Sequence, residues 1–440
     1  MINAMLLRRD LASARRLLAN VLRSWRNRRA VAKRAPRQPK PPAGSIKIGV
    51  YFADSAVNMY QIQQWYAPLA ELARRWPVAI IARSPGTVLR LWDEAPVPSV
   101  YVRTVVDLEE FVRSQNLRMV FYVNQNARNF PMFRYGRMWH VFINHGESEK
   151  VYMTSNQFKA YDYSFVAGQA ALDRLADNLW DFDLAKRAIA IGRPQADHMA
   201  GFAPYPAHDR TVVLYSPTWE GDAASAKYGS ILSHGRALTD ALLASNRHTL
   251  IYRPHPRSGV LDPAYRAANE RIIRAIARAN GADPNSHHVY DDGVELGWQL
   301  AAADVAITDI SAMIYDRLAT GKPLIVTRPV SPEAEIDERG YLAACEWLDA
   351  EASSDILASI DRVRRDTQAL ARLQFWAQHH FGDTRAGAAT ARFHAAVETL
   401  TAEWERHSAM HSTDDRASAG AASERDGDET DDEDALPEGY

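Results

Sequence analysis

A single cysteine, Cys345, is the only thiol in 440 residues. One thiol excludes a disulfide within the chain and any cysteine-rich metal site, and it suits a reducing compartment. Long apolar runs are also missing, since no stretch approaches the roughly 20 residues that a membrane-crossing helix needs. Leu6–Leu22 is broken by Arg8, Arg9, Asp10, Arg15 and Arg16, so no signal peptide is expected. A Gly-rich P-loop, a G-x-G-x-x-G after the first strand and an H-E-x-x-H helix are all absent, which argues against the sites those motifs build. No short-period repeat occurs. The acidic pair Asp291-Asp292 reads as a solvated turn, so no structural metal is expected.

The residues that are present are distributed unevenly. Hydrophobic residues make up 47% and aromatics 10% of the chain, enough for a globular core, and the length suits two ordinary domains with tails. The net charge of −2 conceals opposite ends. The first forty residues carry a dozen Arg and Lys against one acid, Asp10, while Asp414, Asp415, Glu424, Asp426 and the run Asp428–Asp434 crowd the last thirty. That composition predicts a disordered acidic tail over Ser412–Tyr440. In Met1–Arg34, the residues Leu7, Leu11, Ala14, Leu18, Val21 or Leu22 and Trp25 recur at three- and four-residue steps. They make one apolar stripe on a helix otherwise covered by arginine. Such a helix suits an anionic membrane surface, with packing on the globular body or a partner chain as the alternative. Nucleic acid fits less well, because the body is not basic and Trp25 is the only interleaved aromatic. The Pro-rich Ala35–Gly44 reads as a linker.

From Ser45 onward, buried strands alternate with helical patterns. Strands are predicted at Ile46–Phe52, Val78–Ala82, Val100–Val105, Met119–Val123, Val141–Asn144 and Tyr163–Ala167, with helices at Ile62–Trp76 and Ala170–Leu179. A second series places strands near Val212–Tyr215, Thr249–Arg253, His288–Tyr290, Val305–Ile307 and Leu324–Val326. Apolar strands separated by helices argue for parallel sheets covered on both faces. The seam is expected near Arg193–Asp209. This gives a linker-helix segment over 1–44, one domain over 45–195, a second over 196–385, a closing helix over 386–411 and a tail. The closing helix, predicted at Gly387–His407, is long enough to cross back to the first domain.

Ligands of open α/β sheets gather at the carboxyl ends of strands, and three such ends stand out. In Asp304–Pro329 a buried strand runs into Thr308-Asp309-Ile310-Ser311, and a helix opens near Ala312. Hydroxyls together with the N–H groups of Ala312 and Met313 suit a phosphate; helix capping alone would also explain an Asp or Ser there. The run His248–Tyr252 ends in Arg253-Pro254-His255-Pro256, where two prolines hold the histidine rigidly. His145 follows a short apolar strand and precedes Gly146, whose missing side chain lets backbone approach a ligand. An imidazole there is suited to take a proton from an alcohol near neutral pH. His198, His234, His287, His288, His379 and His380 lack such a context and read as structural.

Together these segments resemble the CDP-glycerol glycerophosphotransferase family, the teichoic-acid primases and polymerases of bacterial cell walls. Five pieces match in order: Asn144-His145-Gly146 with Lys150, Gly192-Arg193-Pro194-Gln195-Ala196-Asp197, Tyr215-Ser216-Pro217-Thr218-Trp219, Arg253-Pro254-His255-Pro256, and Ile307-Thr308-Asp309-Ile310-Ser311 with Asp316 in the helix that follows. The resemblance implies a GT-B-like α/β fold, with two Rossmann-like domains facing each other across a cleft. It implies a cytoplasmic enzyme, peripheral to the plasma membrane. Such an enzyme moves glycerol phosphate, or a related alditol phosphate, from a CDP-linked donor to a hydroxyl of a lipid-linked acceptor, without a cofactor. His145 is the implied general base. His255, Arg253, Thr308 and Ser311 are the implied pyrophosphate cradle, and Gly146, Lys150, Pro217, Thr218, Asp309, Ala312 and Asp316 are further expected substrate contacts.

The chain departs from the family pattern in places. Ile310 and Ala312 replace a tyrosine and a serine of the phosphate turn, Thr218-Trp219 is followed by Glu220 instead of a basic residue, and Glu147-Ser148-Glu149 follows the His-Gly pair. The acids there would repel an anionic acceptor. A GT-B glycosyltransferase using a nucleotide sugar for surface polysaccharide, and a catalytically degenerate scaffold, are the alternative readings.

Overall fold

The computed structural model describes residues 21–146, 154–198, 201–221, 225, 227–293, 296–336 and 340–411. Most of the expected membrane stripe, the acidic tail and Lys150 with residues 147–149 lie outside the described residues.

Seven parallel strands form the first sheet: β1 (Ile48–Phe52), β2 (Val78–Ala82), β3 (Ser99–Tyr101), β4 (Met119–Tyr122), β5 (Trp139–Phe142), β6 (Tyr163–Val166) and β7 (Ala188–Ala190), in the order β3-β2-β1-β4-β5-β6-β7. Six more form the second: β8 (Thr211–Ser216), β9 (His248–Tyr252), β10 (Val289–Tyr290), β11 (Val305–Thr308), β12 (Leu324–Thr327) and β13 (Glu346–Leu348), in the order β10-β9-β8-β11-β12-β13, again parallel. Every residue of β1, β2, β4, β9, β11 and β12 is buried. Their largely apolar composition follows from that, since helices cover both faces of each sheet. An apolar core lies on each face of each sheet. The architecture is two Rossmann-like domains in a GT-B-like arrangement.

Six helices enter the account of the site: α1 (residues 21–34), α2 (Met59–Gln63), α3 (Gln169–Asn178), α4 (Ala312–Leu318), α5 (Thr367–Phe381) and α6 (Ala388–His411). Helix α6 belongs by sequence to the second half, yet it returns to the first. Phe393, Ala396, Val397 and Leu400 sit in the core of the first sheet. Trp139 donates to the Leu400 carbonyl at 3.0 Å, and Tyr163 donates to Glu403 at 2.7 Å. Gly192, at φ 77°, turns the chain out of the first sheet; a Cβ there would run into Arg392 and the Phe381 carbonyl, so no other residue fits.

Helix α1 has two halves. Val31 is buried, and Arg34 pairs with Asp93 at 2.5 Å and stacks over Trp92. Val21, Leu22 and Trp25 are instead 53%, 59% and 57% exposed.

Several expected boundaries shift. The strand expected over Val100–Val105 stops at Tyr101, because Thr104 and Asp107 form a capping box that starts the helix Val105–Ser114. The helix expected over Ile62–Trp76 is two, Met59–Gln63 and Tyr66–Leu72. Strands β7 and β13 were not expected; each is three residues long and mostly half-buried, too short for an alternating pattern to register.

Candidate active site

In each sheet the strand order reverses at one point, between β1 and β4 in the first and between β8 and β11 in the second. The crevices beyond the carboxyl ends of the strands at such points are where ligands settle in this class of fold. The sequence motifs cluster at both.

His145 lies just past β5. Asn144 takes a left-handed conformation, φ 55°, and its side-chain oxygen accepts the His145 N–H at 2.8 Å. The Trp65 indole donates to the Asn144 carbonyl, so this turn is tied to the helices that follow β1. The His145 ring reaches over the end of β4, where Nδ1 sits 2.9 Å from the Val123 carbonyl. A carbonyl only accepts, so Nδ1 carries the proton, and in the neutral ring Nε2 is the basic nitrogen. Tyr60 of α2 meets the ring edge to face at 5.8 Å and is itself 52% exposed. The positive φ falls on Asn144 and not on Gly146. A Cβ at Gly146 would meet nothing nearer than Gln64 Oε1 at 3.9 Å, so the glycine leaves space without being required by the local backbone.

His255 lies past β9 and has the opposite tautomer. Its N–H donates to the Pro217 carbonyl at 3.0 Å, which ties the loop to the end of β8. Its Nδ1 accepts from the Arg257 N–H at 3.1 Å, so the neutral ring carries its proton on Nε2 as a donor. The residue is exposed; even so, desolvation by the surrounding loops and then the Arg257 charge lower its pKa, against Glu220. Arg257 lies 3.8 Å over the Trp219 ring, and Glu220 accepts from the N–H groups of Gly259, Leu261 and Asp262. Glu220, at the position where a basic residue was expected, thus fastens the loop that carries His255.

The phosphate-turn residues divide. Asp309 was expected to touch substrate, to orient the turn or to cap α4; the cap is Ser311, and the hydrogen bonds of Asp309 hold the turn. Asp309 is fully buried, with Oδ2 accepting from the N–H groups of Thr218 (2.7 Å) and Ser230 (3.0 Å) and Oδ1 from the Thr327 hydroxyl (2.6 Å). It therefore clamps the end of β8 to the end of β11 across the switch point. Burial raises its pKa to about 6, against those hydrogen bonds. Thr308 is also fully buried, with a hydroxyl that has no partner among the described residues, so it lies beneath the turn and not on its surface. Ser311 caps α4, its oxygen accepting the Met313 N–H at 3.3 Å. That engages one N–H expected for phosphate but leaves the Ser311 hydroxyl proton to donate. Ala312 is exposed beside it. Pro217 and Thr218 hold the β8 end: the Thr218 carbonyl accepts from Tyr265 at 2.7 Å.

Arg253 and Asp316 are committed elsewhere. The Arg253 guanidinium pairs with Asp291, which Gln299 also reaches at 2.5 Å. Asp291 is therefore enclosed, 11% exposed, contrary to its reading as a solvated turn residue. Asp316 of α4 pairs with Arg193, which follows β7, so two motifs from different domains meet as an ion pair at the seam. Burial raises the Asp316 pKa, and Arg193 opposes the shift. Nearby, Asp197 accepts the Thr390 N–H of α6 at 2.7 Å. A cavity of about 40 Å³ opens at the ends of β5–β7, lined by Asn144, Gly146, Arg193 and Gln195 among others. It has room for a few waters. Among the described residues no three His, Cys, Asp or Glu side chains converge as metal ligands would.

His145 contacts first-domain groups and His255 second-domain groups; the structure joins the domains through Arg193–Asp316 and α6. A geometry-only feature was missed in sequence: Asp54, past β1, accepts from Asn124 and Asn126, past β4, at 3.1 Å each. The first sheet thus has a cross-switch aspartate of its own, and nothing in the local pattern around Asp54 marks it.

Residues 145–340 match the family model described as CDP-Glycerol:Poly(glycerophosphate) glycerophosphotransferase. Among solved structures, a wall teichoic acid polymerase TagF variant soaked with CDPG is similar at 11% identity, over 89% of this chain and 98% of that one, with a TM-score of 0.52. A protein described as a UDP-N-acetylglucosamine 2-epimerase from Listeria monocytogenes is similar at 14% identity, over 82% and 98%, with a TM-score of 0.52. At such identities these likenesses establish the fold alone. No curated protein sequence matches the chain.

Proposed function

We infer that this chain, an enzyme of the CDP-glycerol glycerophosphotransferase type by its 145–340 segment, moves glycerol phosphate from CDP-glycerol to a hydroxyl of a lipid-linked acceptor and releases CMP. The observation that carries this reading is the pair of opposed tautomers. His145 offers a basic Nε2 at the first switch point, and His255 offers an Nε2–H donor at the second. Transfer needs one of each, a base for the acceptor hydroxyl and a donor to the charge that grows on phosphate oxygens.

In this mechanism the acceptor O–H proton goes to His145 Nε2 as its oxygen bonds to the β-phosphorus. The bond from that phosphorus to the CMP oxygen breaks, and CMP leaves with the electron pair. His255 Nε2–H and the Ser311 hydroxyl hydrogen-bond the diphosphate, with Ala312 beside them. Asp309 acts indirectly, keeping Thr218 and the α4 turn in register. Asp291 holds Arg253 through Nη1 alone, and the remaining guanidinium N–H groups are the ones its proposed phosphate contact would use. Lys150 remains a proposed contact from the motif match.

The exposed Val21, Leu22 and Trp25 alternate with Arg23, Arg26 and Arg29, which supports binding of α1 to an anionic cytoplasmic membrane surface. Among the described residues no helix is long and apolar enough to cross a membrane. Turnover of CDP-glycerol with CMP release, lost in His145→Ala, tests the whole reading; equal rates in wild type and variant would reject it.

A further inference from the structure

The His145 ring is oriented by a carboxylate that does not touch it. Its Nδ1 donates to the Val123 carbonyl at 2.9 Å, and that carbonyl belongs to the peptide unit joining Val123 to Asn124. Whatever fixes Asn124 therefore fixes the acceptor that holds the ring. Asn124 is buried and fastened through both its backbone and its side chain. Its carbonyl accepts from Asn129 Nδ2 at 2.8 Å. Its own Nδ2 donates to Asp54 Oδ2 at 3.1 Å and to Gln61 Oε1 at 2.7 Å. Gln61 lies on α2 next to Tyr60, whose ring meets the imidazole edge to face. Asn124 thus joins two supports of His145, the carbonyl on Nδ1 and the helix that carries Tyr60.

Asp54 is the acceptor to which this loop is tied. It is buried just past β1. Oδ2 accepts from Nδ2 of Asn124 and of Asn126 at 3.1 Å each, and Oδ1 accepts the Ser55 N–H at 2.7 Å. All three partners are donors, so the position calls for a group that accepts on both of its ends, as an ionised carboxylate does. A carboxamide at residue 54 turns an NH2 toward either the two asparagines or the Ser55 N–H, donor against donor. The proton on an imidazole sits where the partner of the other nitrogen puts it. With the Val123 carbonyl in place it stays on Nδ1 and Nε2 is basic. With that peptide loosened, the ring can change tautomer and present an N–H where the transfer needs a base.

We propose that Asp54 and Asn124 are positioning residues for the transfer: they hold the Val123 carbonyl against His145 Nδ1 and so keep Nε2 as the basic nitrogen. The proposal rests on reading His145 as the base and adds what keeps it in the basic form.

Long-range 1H–15N spectra of the full chain labelled with 15N-histidine distinguish the two neutral tautomers at about pH 8, and the signal missing from His145→Ala identifies His145. Wild type is expected to show the Nδ1–H ring, and Asp54→Asn and Asn124→Ala to shift it to a mixture or to the Nε2–H ring. In CDP-glycerol turnover read as CMP release, both variants are expected to lose at least about tenfold in kcat. The KM for CDP-glycerol is expected to stay within about twofold, because the donor is read as held by the second domain. Gln61→Ala cuts the other Asn124 link from α2 and is read in the same way if the first two variants do not fold. An Nε2–H ring in wild type, which needs no variant at all, overturns the proposal. So does a ring that keeps its Nδ1 proton in every folded variant. A tautomer that shifts as expected in a chain that never releases CMP supports the positioning and refutes the transfer reading.

Discussion

Arg193, at the exit of the first sheet, and Asp316, in helix α4 of the second domain, form an ion pair whose side chains are only 14% and 12% exposed. Removing one partner strands the other in a low-dielectric seam, which costs about 3 kcal/mol where a buried pair is broken. Arg193→Ala is therefore expected to lower the urea midpoint clearly. Arg193→Met combined with Asp316→Leu is expected to recover most of the loss. Costs that simply add in the double variant would show that the two side chains act separately.

Asp309 is the acceptor shared by Thr218, Ser230 and Thr327, so Asp309→Asn loosens the β8 end without touching a ligand. CDP-glycerol binding is expected to weaken at least about tenfold. The pH dependence has a definite sign. Burial pushes the folded carboxyl up to about 6 from the ordinary 3.8, so between those values the folded state holds a proton that the unfolded chain has lost. Stability contributed by this group falls as pH rises through that window. The stability gap between wild type and Asp309→Asn should therefore shrink from pH 4 to pH 6, and a pH-independent gap would contradict the assignment.

His380 of α5 is 1% exposed, both of its ring nitrogens lack a partner among the described residues, and burial lowers its pKa to about 3. The folded state keeps it neutral while the unfolded chain protonates near 6.5, so stability is lost as pH falls from about 6.5 toward 3. With Tyr315, Trp376 and Phe381 as ring neighbours, His380→Phe fits the site. Relative to wild type the variant is expected to gain about 2 kcal/mol at pH 5 compared with pH 7. Parallel stability curves across that range would show that the histidine is not enclosed.

The exposed face of α1 makes a prediction about membranes. Trp25→Glu with Leu22→Glu is expected to reduce co-sedimentation with vesicles rich in anionic lipid, and high salt to reduce wild-type binding as well. Vesicle binding that is unchanged in the double variant would assign those residues to some other contact.

Much of the architecture was legible because parallel strands buried on both faces leave continuous apolar runs; Val78–Ala82 was read to the residue. The return of the closing helix to the first sheet was also anticipated, and Phe393 and Leu400 carry it. What escaped was set by partners distant in sequence. Asp309 looked like a ligand contact or a cap because its neighbours are hydroxyl-bearing, yet its hydrogen bonds go to residues 218, 230 and 327. Asp316 looked like a substrate contact until Arg193, more than a hundred residues earlier, proved to be its counter-ion. The Asp54–Asn124–Asn126 cluster was invisible for the same reason, since only the β1/β4 adjacency assembles it.

The central claim is that His145 deprotonates an acceptor that attacks a CDP-linked donor held by the second domain. It is tested most directly by incubating purified protein with CDP-glycerol, or with each of a panel of UDP- and GDP-sugars, and measuring nucleotide release in wild type and His145→Ala. CMP release from CDP-glycerol alone, falling by about 10²-fold or more in the variant, is the predicted result. Release from a UDP- or GDP-sugar instead, or equal CMP release from both proteins, would contradict it.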